Sequence, residues 1–330
     1  MEGGPARRER LPRDWVLETI AAMPAMGIGS LFLTGGEPLM YPRMEEVLEA
    51  AAGAEGVETT LSTNATLVKA RQAAMLARHG VRAHVSIDGM AARHDAFRRR
   101  EGAFAETERG VAALREAGVP LTIVTTISKA NLHELDEIAA WAVAAGAERL
   151  LVQPLLNLGR GAEIAGEMLS SAELLQVVMK TSDLANRPGR PIKASIIGGS
   201  KRFFLAHPCA AYVCNGGGCH RGVSAEIKKI VVREDGWILP EATNLDHRYA
   251  IGRAGKAPLR DLVRDYFADG YDAFDRLCRV TYNEFVPDWP DPVLPWDQLL
   301  AERSRRPVPE TVPPGADRGC GTRVAEALAV

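Results

Sequence analysis

The chain has 330 residues, enough for about two average domains or one barrel-sized domain with an appendage. Hydrophobic residues make up 46%, charged residues 25% and aromatics 6%, which excludes disordered, collagenous and disulfide-scaffold classes. With 40 Lys and Arg against 42 Asp and Glu, the net charge is −2, so neither nucleic acid nor an anionic membrane is expected as a partner.

Pro24, Gly27 and Gly29 interrupt the most apolar early segment, so no stretch is expected to span a bilayer. The basic opening, residues 1–18, spaces its apolar residues like one helix face and not like a signal-peptide core, and a cytoplasmic location is expected. All five cysteines (Cys209, Cys214, Cys219, Cys278, Cys320) lie after residue 208. An odd, clustered set in such a chain points to metal or redox chemistry before disulfides.

In chain order, residues 12–26 read as a helix with Val16, Ile20 and Met23 on one face and Gly27 as its stop. Short apolar runs then end near Leu33, Leu61, Ile87, Ile127 and Val152. Helical patterns separate them: Met44 to Ala51, Leu67 to His79, Phe104 to Ala117 and Leu132 to Ala145. Gly80, Gly118 and Gly146 stand where left-handed helix caps are expected. Alternation of five strands with helices predicts parallel β/α units. Beyond residue 160 the pattern loosens to a helix near 171–185 and a short apolar run at Ile192–Ile197. Residues 223–239 then read as a hairpin turning at Glu234-Asp235-Gly236. The prolines past Val286 predict a poorly structured tail, with Trp289 and Trp296 as candidate anchors.

Polar residues gather where the strands end: Thr34-Gly35-Gly36-Glu37, Ser62-Thr63-Asn64, Ser86 to Gly89, Thr125 to Ser128 and Gln153-Pro154. Carboxyl-terminal strand ends are where such folds build their sites. Gly35 and Gly36 allow backbone to approach a ligand, and Glu37 offers a carboxylate to an ammonium group; a plain strand-to-helix turn is the alternative. Asp88 suits the hydroxyls of a sugar, and its alternative is an Asp-Gly turn. For His94-Asp95 and Phe97 to Arg100 a solvated basic helix start stands level with a functional role.

The segments LFLTGGEPLMYP, LSTN, VSIDGMAARHDAFRRREGAF, VTTISKAN and VQPLLNLGRG together resemble the core of the radical S-adenosylmethionine superfamily, in the branch with a SPASM-type carboxyl-terminal extension. The resemblance runs over residues 12 to about 160. It implies an α/β fold, a partial (β/α)6 barrel with five of six strands present and a small SPASM-like extension. It divides the chain into a core at 1–200, a cysteine-containing region at 201–285 and a Pro-rich tail at 286–330. S-adenosylmethionine would be held by Gly35, Gly36 and Glu37 at its ammonium group and by Ser86 and Asp88 near the ribose, with Asn64 beside them. The implied activity is generation of a 5′-deoxyadenosyl radical that abstracts hydrogen from a peptide or small natural product, with a flavodoxin or ferredoxin as electron donor. The alternative is a cluster-less barrel that binds a peptide or protein partner.

The resemblance also implies a 4Fe-4S cluster on a CxxxCxxC loop after the first strand, because such clusters need thiolates. No cysteine precedes Cys209. The opening Met1 to Pro5 resembles the residues that follow that loop, so the reading expects translation to start upstream and add a strand, which would cover an edge near Leu31–Leu33. Cys209, Cys214 and Cys219, spaced around Gly216-Gly217-Gly218, are candidate ligands of an auxiliary cluster, with buried small hydrophobes as the equal alternative. Cys219 to Glu241 resembles the SPASM hairpin, with Glu241 in place of its closing cysteine. Cys278 is a candidate hydrogen-atom donor, with a buried structural cysteine as the favoured alternative. Neither GxGxxG after a strand nor a GxxxxGK phosphate loop occurs, against a nucleotide-phosphate enzyme.

Overall fold

The computed structural model describes residues 10–156, 159–189, 192–212, 227 and 229–311. It divides into two compact units, Met1–Gly198 and Gly199–Val330.

The first unit is built on one sheet. After α1 (Arg13–Ala22), β1 (Ser30–Leu33), β2 (Glu58–Thr63), β3 (Arg82–Ser86), β4 (Leu121–Ile127), β5 (Arg149–Pro154) and β6 (Lys193–Ile196) lie side by side in that order. All are parallel. Each step to the next strand is made by helical chain: α2 (Met44–Gly53), α3 (Ala70–Arg78), α4 (Ala91–Arg98) with α5 (Ala103–Glu116), α6 (Leu135–Ala144) and α7 (Ser171–Asn186). Spatial order equals chain order, as β/α units require. The cap glycines Gly80, Gly118 and Gly146 have φ of 65°, 73° and 79°, the left-handed ends that stop α3, α5 and α6. Ser170 and Glu173 close a reciprocal capping box at the start of α7, so its boundary follows from local chemistry.

Strand alternation divides the sheet into unlike faces. Leu61, Ala83, Val85, Ile123, Leu150 and Val152 are fully buried and share one core with Leu48, Leu76, Leu114 and Ile138 of the helices. The opposite face carries Phe32, Thr60, Ser62, His84, Ser86, Thr126 and Gln153, which are half-buried except for Phe32 at 50% exposure. A sheet covered on one side by apolar helix faces is stabilised there by hydrophobic burial and leaves the polar face for a ligand.

All five strands expected from the sequence form. The short run at Ile192–Ile197 pairs along β5 as a sixth, from Arg149↔Lys193 to Val152↔Ile196; four residues with a weak alternation are too few to separate a strand from a loop. Among the described residues β1 pairs only with β2.

The second unit contains a three-stranded antiparallel sheet of β8 (Ile230–Val232), β9 (Trp237–Pro240) and β10 (Gly252–Arg253). The first two make the hairpin expected around Glu234-Asp235-Gly236, while residues 223–226 and 228 of that reading lie outside the described residues. A second ladder joins β7 (Gly199–Ser200) to β11 (Val293–Leu294). The helices are α8 (Lys201–Ala206), α9 (Leu259–Asp269), α10 (Tyr271–Phe285) and α11 (Trp296–Ser304). That last helix corrects the expectation of a poorly structured tail as far as residue 311. Trp296, Leu299 and Leu300 are buried at helical spacing, and Pro295 at the N-cap starts the helix without breaking it. Trp289 is anchored as well, its indole N–H donating to the Val293 carbonyl at 2.9 Å.

Candidate functional site

Parallel strands bring their carboxyl ends to one edge, and the ends of β1, β2 and β3 place Gly35, Gly36, Glu37, Asn64, Ser86 and Asp88 along it. A Cβ added to Gly35 or Gly36 would meet nothing within 4 Å, so this backbone borders open space. Glu37 is turned across the edge. One oxygen, Oε1, accepts from the Thr63 hydroxyl at 2.8 Å and the Leu39 N–H at 3.2 Å, and Oε2 accepts from the Asn64 N–H at 3.0 Å. The carboxylate thus ties the β1 end to the β2 end, and of its roughly four acceptor positions three are filled.

Asn64 makes an Asx turn, its Oδ1 accepting from the Thr66 N–H at 2.9 Å and the Thr66 hydroxyl at 2.8 Å. Its carbonyl accepts from Thr107 of α5 at 2.8 Å, and its side-chain NH2 has no partner among the described residues. Ser86 is half-buried on the open face. Its hydroxyl likewise has no hydrogen bond among the described residues.

Asp88 differs from these. It is 1% exposed, Oδ1 accepts from the Thr126 N–H at 2.8 Å, and its other oxygen pairs with the Arg98 guanidinium. Its N–H donates to His94 Nδ1 at 3.1 Å, and its carbonyl accepts from the Asn131 amide at 3.1 Å. The residues alone leave His94 and Arg98 level between a functional role and a solvated helix start and give no reading of Asn131; the i, i+4 spacing of His94 and Arg98 on one helix face is the signal that could have joined them. His94, also 1% exposed, is buried and not part of a solvated helix start. Asp95 accepts from the N–H groups of Gly102 at 2.6 Å and Phe104 at 2.7 Å. These bonds hold its carboxyl below the ordinary range and anchor the start of α5.

The His94 imidazole is pushed below its ordinary value of 6.5, first by burial and then by the positive charge of Arg98, against weaker opposition from Asp88 and Asp95. In the unfolded chain it takes a proton near 6.5, and in the folded chain only at lower pH. The unfolded state therefore binds more protons as pH falls through 6.5, and stability is lost there. His84, lowered by burial and by Arg82 and Arg149, adds in the same direction. The urea midpoint is expected to drop between about pH 7.5 and about 5.5. The drop should shrink in His94→Asn, which keeps an acceptor for the Asp88 N–H; an equal drop in that variant would remove His94 from the account.

Cys209 lies in a 3-10 turn at Pro208–Ala210 and is 5% exposed, and Cys278 on α10 is 2% exposed. Cys214, Cys219 and Cys320 lie outside the described residues. Among the described residues no group of three or more His, Cys, Asp or Glu side chains is placed to hold a metal ion. None of the described helices is long and apolar enough to cross a membrane.

Residues 3–142 match the model of the Radical SAM superfamily. The six-stranded parallel sheet is the arrangement expected of the (β/α)6 barrel of that superfamily. The AdoMet-dependent heme synthase of Nitratidesulfovibrio vulgaris is 34% identical over 178 residues, which are 53% of this chain and 48% of that protein. The chain spans about half the length of the curated relatives it matches. The structure of native anSMEcpe with bound AdoMet and Kp18Cys peptide shares the fold at a TM-score of 0.59 and 14% identity, over 89% of this chain and 87% of that one. Streptococcus suis SuiB bound to precursor peptide SuiA shares it at 0.56 and 18% identity, over 73% and 54%. These likenesses extend past residue 142, so the shared fold is wider than the superfamily domain.

Proposed function

We propose that the carboxyl edge of β1, β2 and β3 binds S-adenosylmethionine, and that the chain engages a peptide or small natural product beside it. The observation that carries this reading is the unspent polar capacity at that edge. Gly35 and Gly36 border open space, Glu37 keeps an acceptor position for an ammonium, and the Ser86 hydroxyl and Asn64 amide stand ready for sugar or carboxylate oxygens. These are the groups needed to orient a zwitterionic nucleoside in a site with few charges. The AdoMet and peptides bound in the anSMEcpe and SuiB structures support the same two ligand classes.

In this superfamily S-adenosylmethionine supplies an adenosyl group for radical chemistry when a 4Fe-4S cluster reduces it. The described residues do not fit such a cluster. For the described residues this favours a cluster-less barrel that binds a peptide or protein partner over a radical oxidoreductase with a flavodoxin or ferredoxin donor. Cys209, Cys214 and Cys219 stay within the proposal as auxiliary-cluster ligands. Titration calorimetry on the full chain is expected to show saturable binding of S-adenosylmethionine. Anaerobic incubation with iron, sulfide and reductant is expected to yield no 5′-deoxyadenosine. Absence of binding would overturn the site, and formation of 5′-deoxyadenosine would return the radical enzyme to first place.

A further inference from the structure

We propose that Arg98 is a positioning residue that acts through Asp88 to fix the β3 end, an inference that rests on the nucleoside site proposed above. The N–H, Oδ1 and carbonyl of Asp88 are hydrogen-bonded within the chain, and Oδ2 is paired ionically with Arg98. His94 and Arg98 of α4 take its N–H and one carboxylate oxygen, the N–H of Thr126 at the β4 end takes the other, and Asn131 takes its carbonyl. At 1% exposure the carboxylate has almost no water to stabilise its charge, and an ionised carboxylate out of water needs a countercharge. Arg98 supplies that charge.

The consequence for the site is geometric. Asp88 Oδ2 makes no hydrogen bond, but at 1% exposure it is shielded from solvent and paired ionically with Arg98. Ser86, two residues earlier on the same strand, faces the open side with its hydroxyl unspent. The chain turns sharply just past Asp88. Gly89 has φ 137°, and a Cβ there would lie 2.5 Å from Arg93 Cγ and 2.9 Å from Glu134 Oε2. The same Glu134 oxygen accepts from the Met90 N–H at 2.9 Å. Asn131 adds a bond to the Thr126 carbonyl at 2.8 Å, so the ends of β3 and β4 are held as one piece. A shift of Asp88 therefore moves Ser86 on one side and the Gly89 turn on the other. Arg98, with its side chain 27% exposed at the rim, controls that shift without touching the ligand.

The test compares full-length wild type with Arg98→Ala, Arg98→Lys, Asp88→Asn and the Arg98→Ala/Asp88→Asn double variant. It measures affinity for S-adenosylmethionine and amide hydrogen exchange. Arg98→Ala and Asp88→Asn are each expected to weaken binding about tenfold through misplacement of the site. The double variant should be no weaker than either single one, because both break the same unit, and Arg98→Lys should recover most of the loss by keeping the charge. Exchange should rise in residues 86–90 and 126–131 of Arg98→Ala and stay near wild type in Arg98→Lys. Arg98→Gln, close in length but uncharged, replaces the alanine variant if that one does not fold. Loss of affinity in Asp88→Asn with none in Arg98→Ala would make Asp88 a direct ligand and overturn the proposal, as would additive effects. If wild type itself binds no S-adenosylmethionine, the nucleoside reading has failed, and exchange alone decides. Unchanged exchange in Arg98→Ala then overturns the positioning role.

Discussion

Alanine in place of Gly110 is expected to destabilise the first unit by about 2 kcal/mol, although alanine is the better helix former. The added Cβ would lie 2.1 Å from the carbonyl oxygen and 3.0 Å from the carbonyl carbon of Ala65. A contact that close to backbone cannot be relieved by turning a side chain. Overpacking of this kind costs about 3 kcal/mol at the upper end of its range, and the gain in helix propensity returns about 1 kcal/mol. The strain falls on a turn already held out of the common conformations, with Ala65 at φ 58°, and that turn carries Asn64. The Thr107 hydroxyl, bonded to the Asn64 carbonyl, faces the same turn. Urea unfolding should show a lower midpoint with an unchanged slope, and S-adenosylmethionine should bind more weakly. An unchanged or raised midpoint would show that α5 can back away from the turn.

Glu37→Ala is expected to weaken S-adenosylmethionine binding by about 1–3 kcal/mol, roughly 5- to 150-fold in Kd. Two losses combine. The variant removes the acceptor proposed for the ligand's ammonium group, and it releases the Thr63 hydroxyl and the Asn64 N–H that hold the β1 and β2 ends together. Glu37→Gln separates them, because one amide oxygen can still accept from a strand-end donor while the negative charge is gone. Calorimetry should therefore rank wild type above Glu37→Gln and Glu37→Gln above Glu37→Ala. Equal affinity for all three would take Glu37 out of the site.

Much of the first unit is legible in the residues. Five strands announce themselves as apolar runs closed by polar clusters, and three helix ends are marked by glycines whose left-handed φ the structure shows. The sixth strand escapes because Lys193 to Ile196 alternates weakly over four residues and is recognisable only once β5 lies beside it. The helix at Trp296–Ser304 escapes for a different reason. Proline density on either side outweighs an i, i+3, i+4 apolar spacing that a propensity argument weighs too little beside tertiary burial.

The parallel β/α order of the first unit and the strand ends where polar residues gather could be read from the residues alone, because motif spacing and apolar periodicity are local properties of the chain. Only the tertiary structure decided how that edge is wired. Glu37 meets its partners 26 and 27 residues away. Asp88 meets Thr126 and Asn131 at separations of 38 and 43. Which partners hold each carboxylate depends on strand register and on how α4 lies over the β3 end. Both are set by burial of the sheet's helix-covered face, and no spacing within a single segment encodes them.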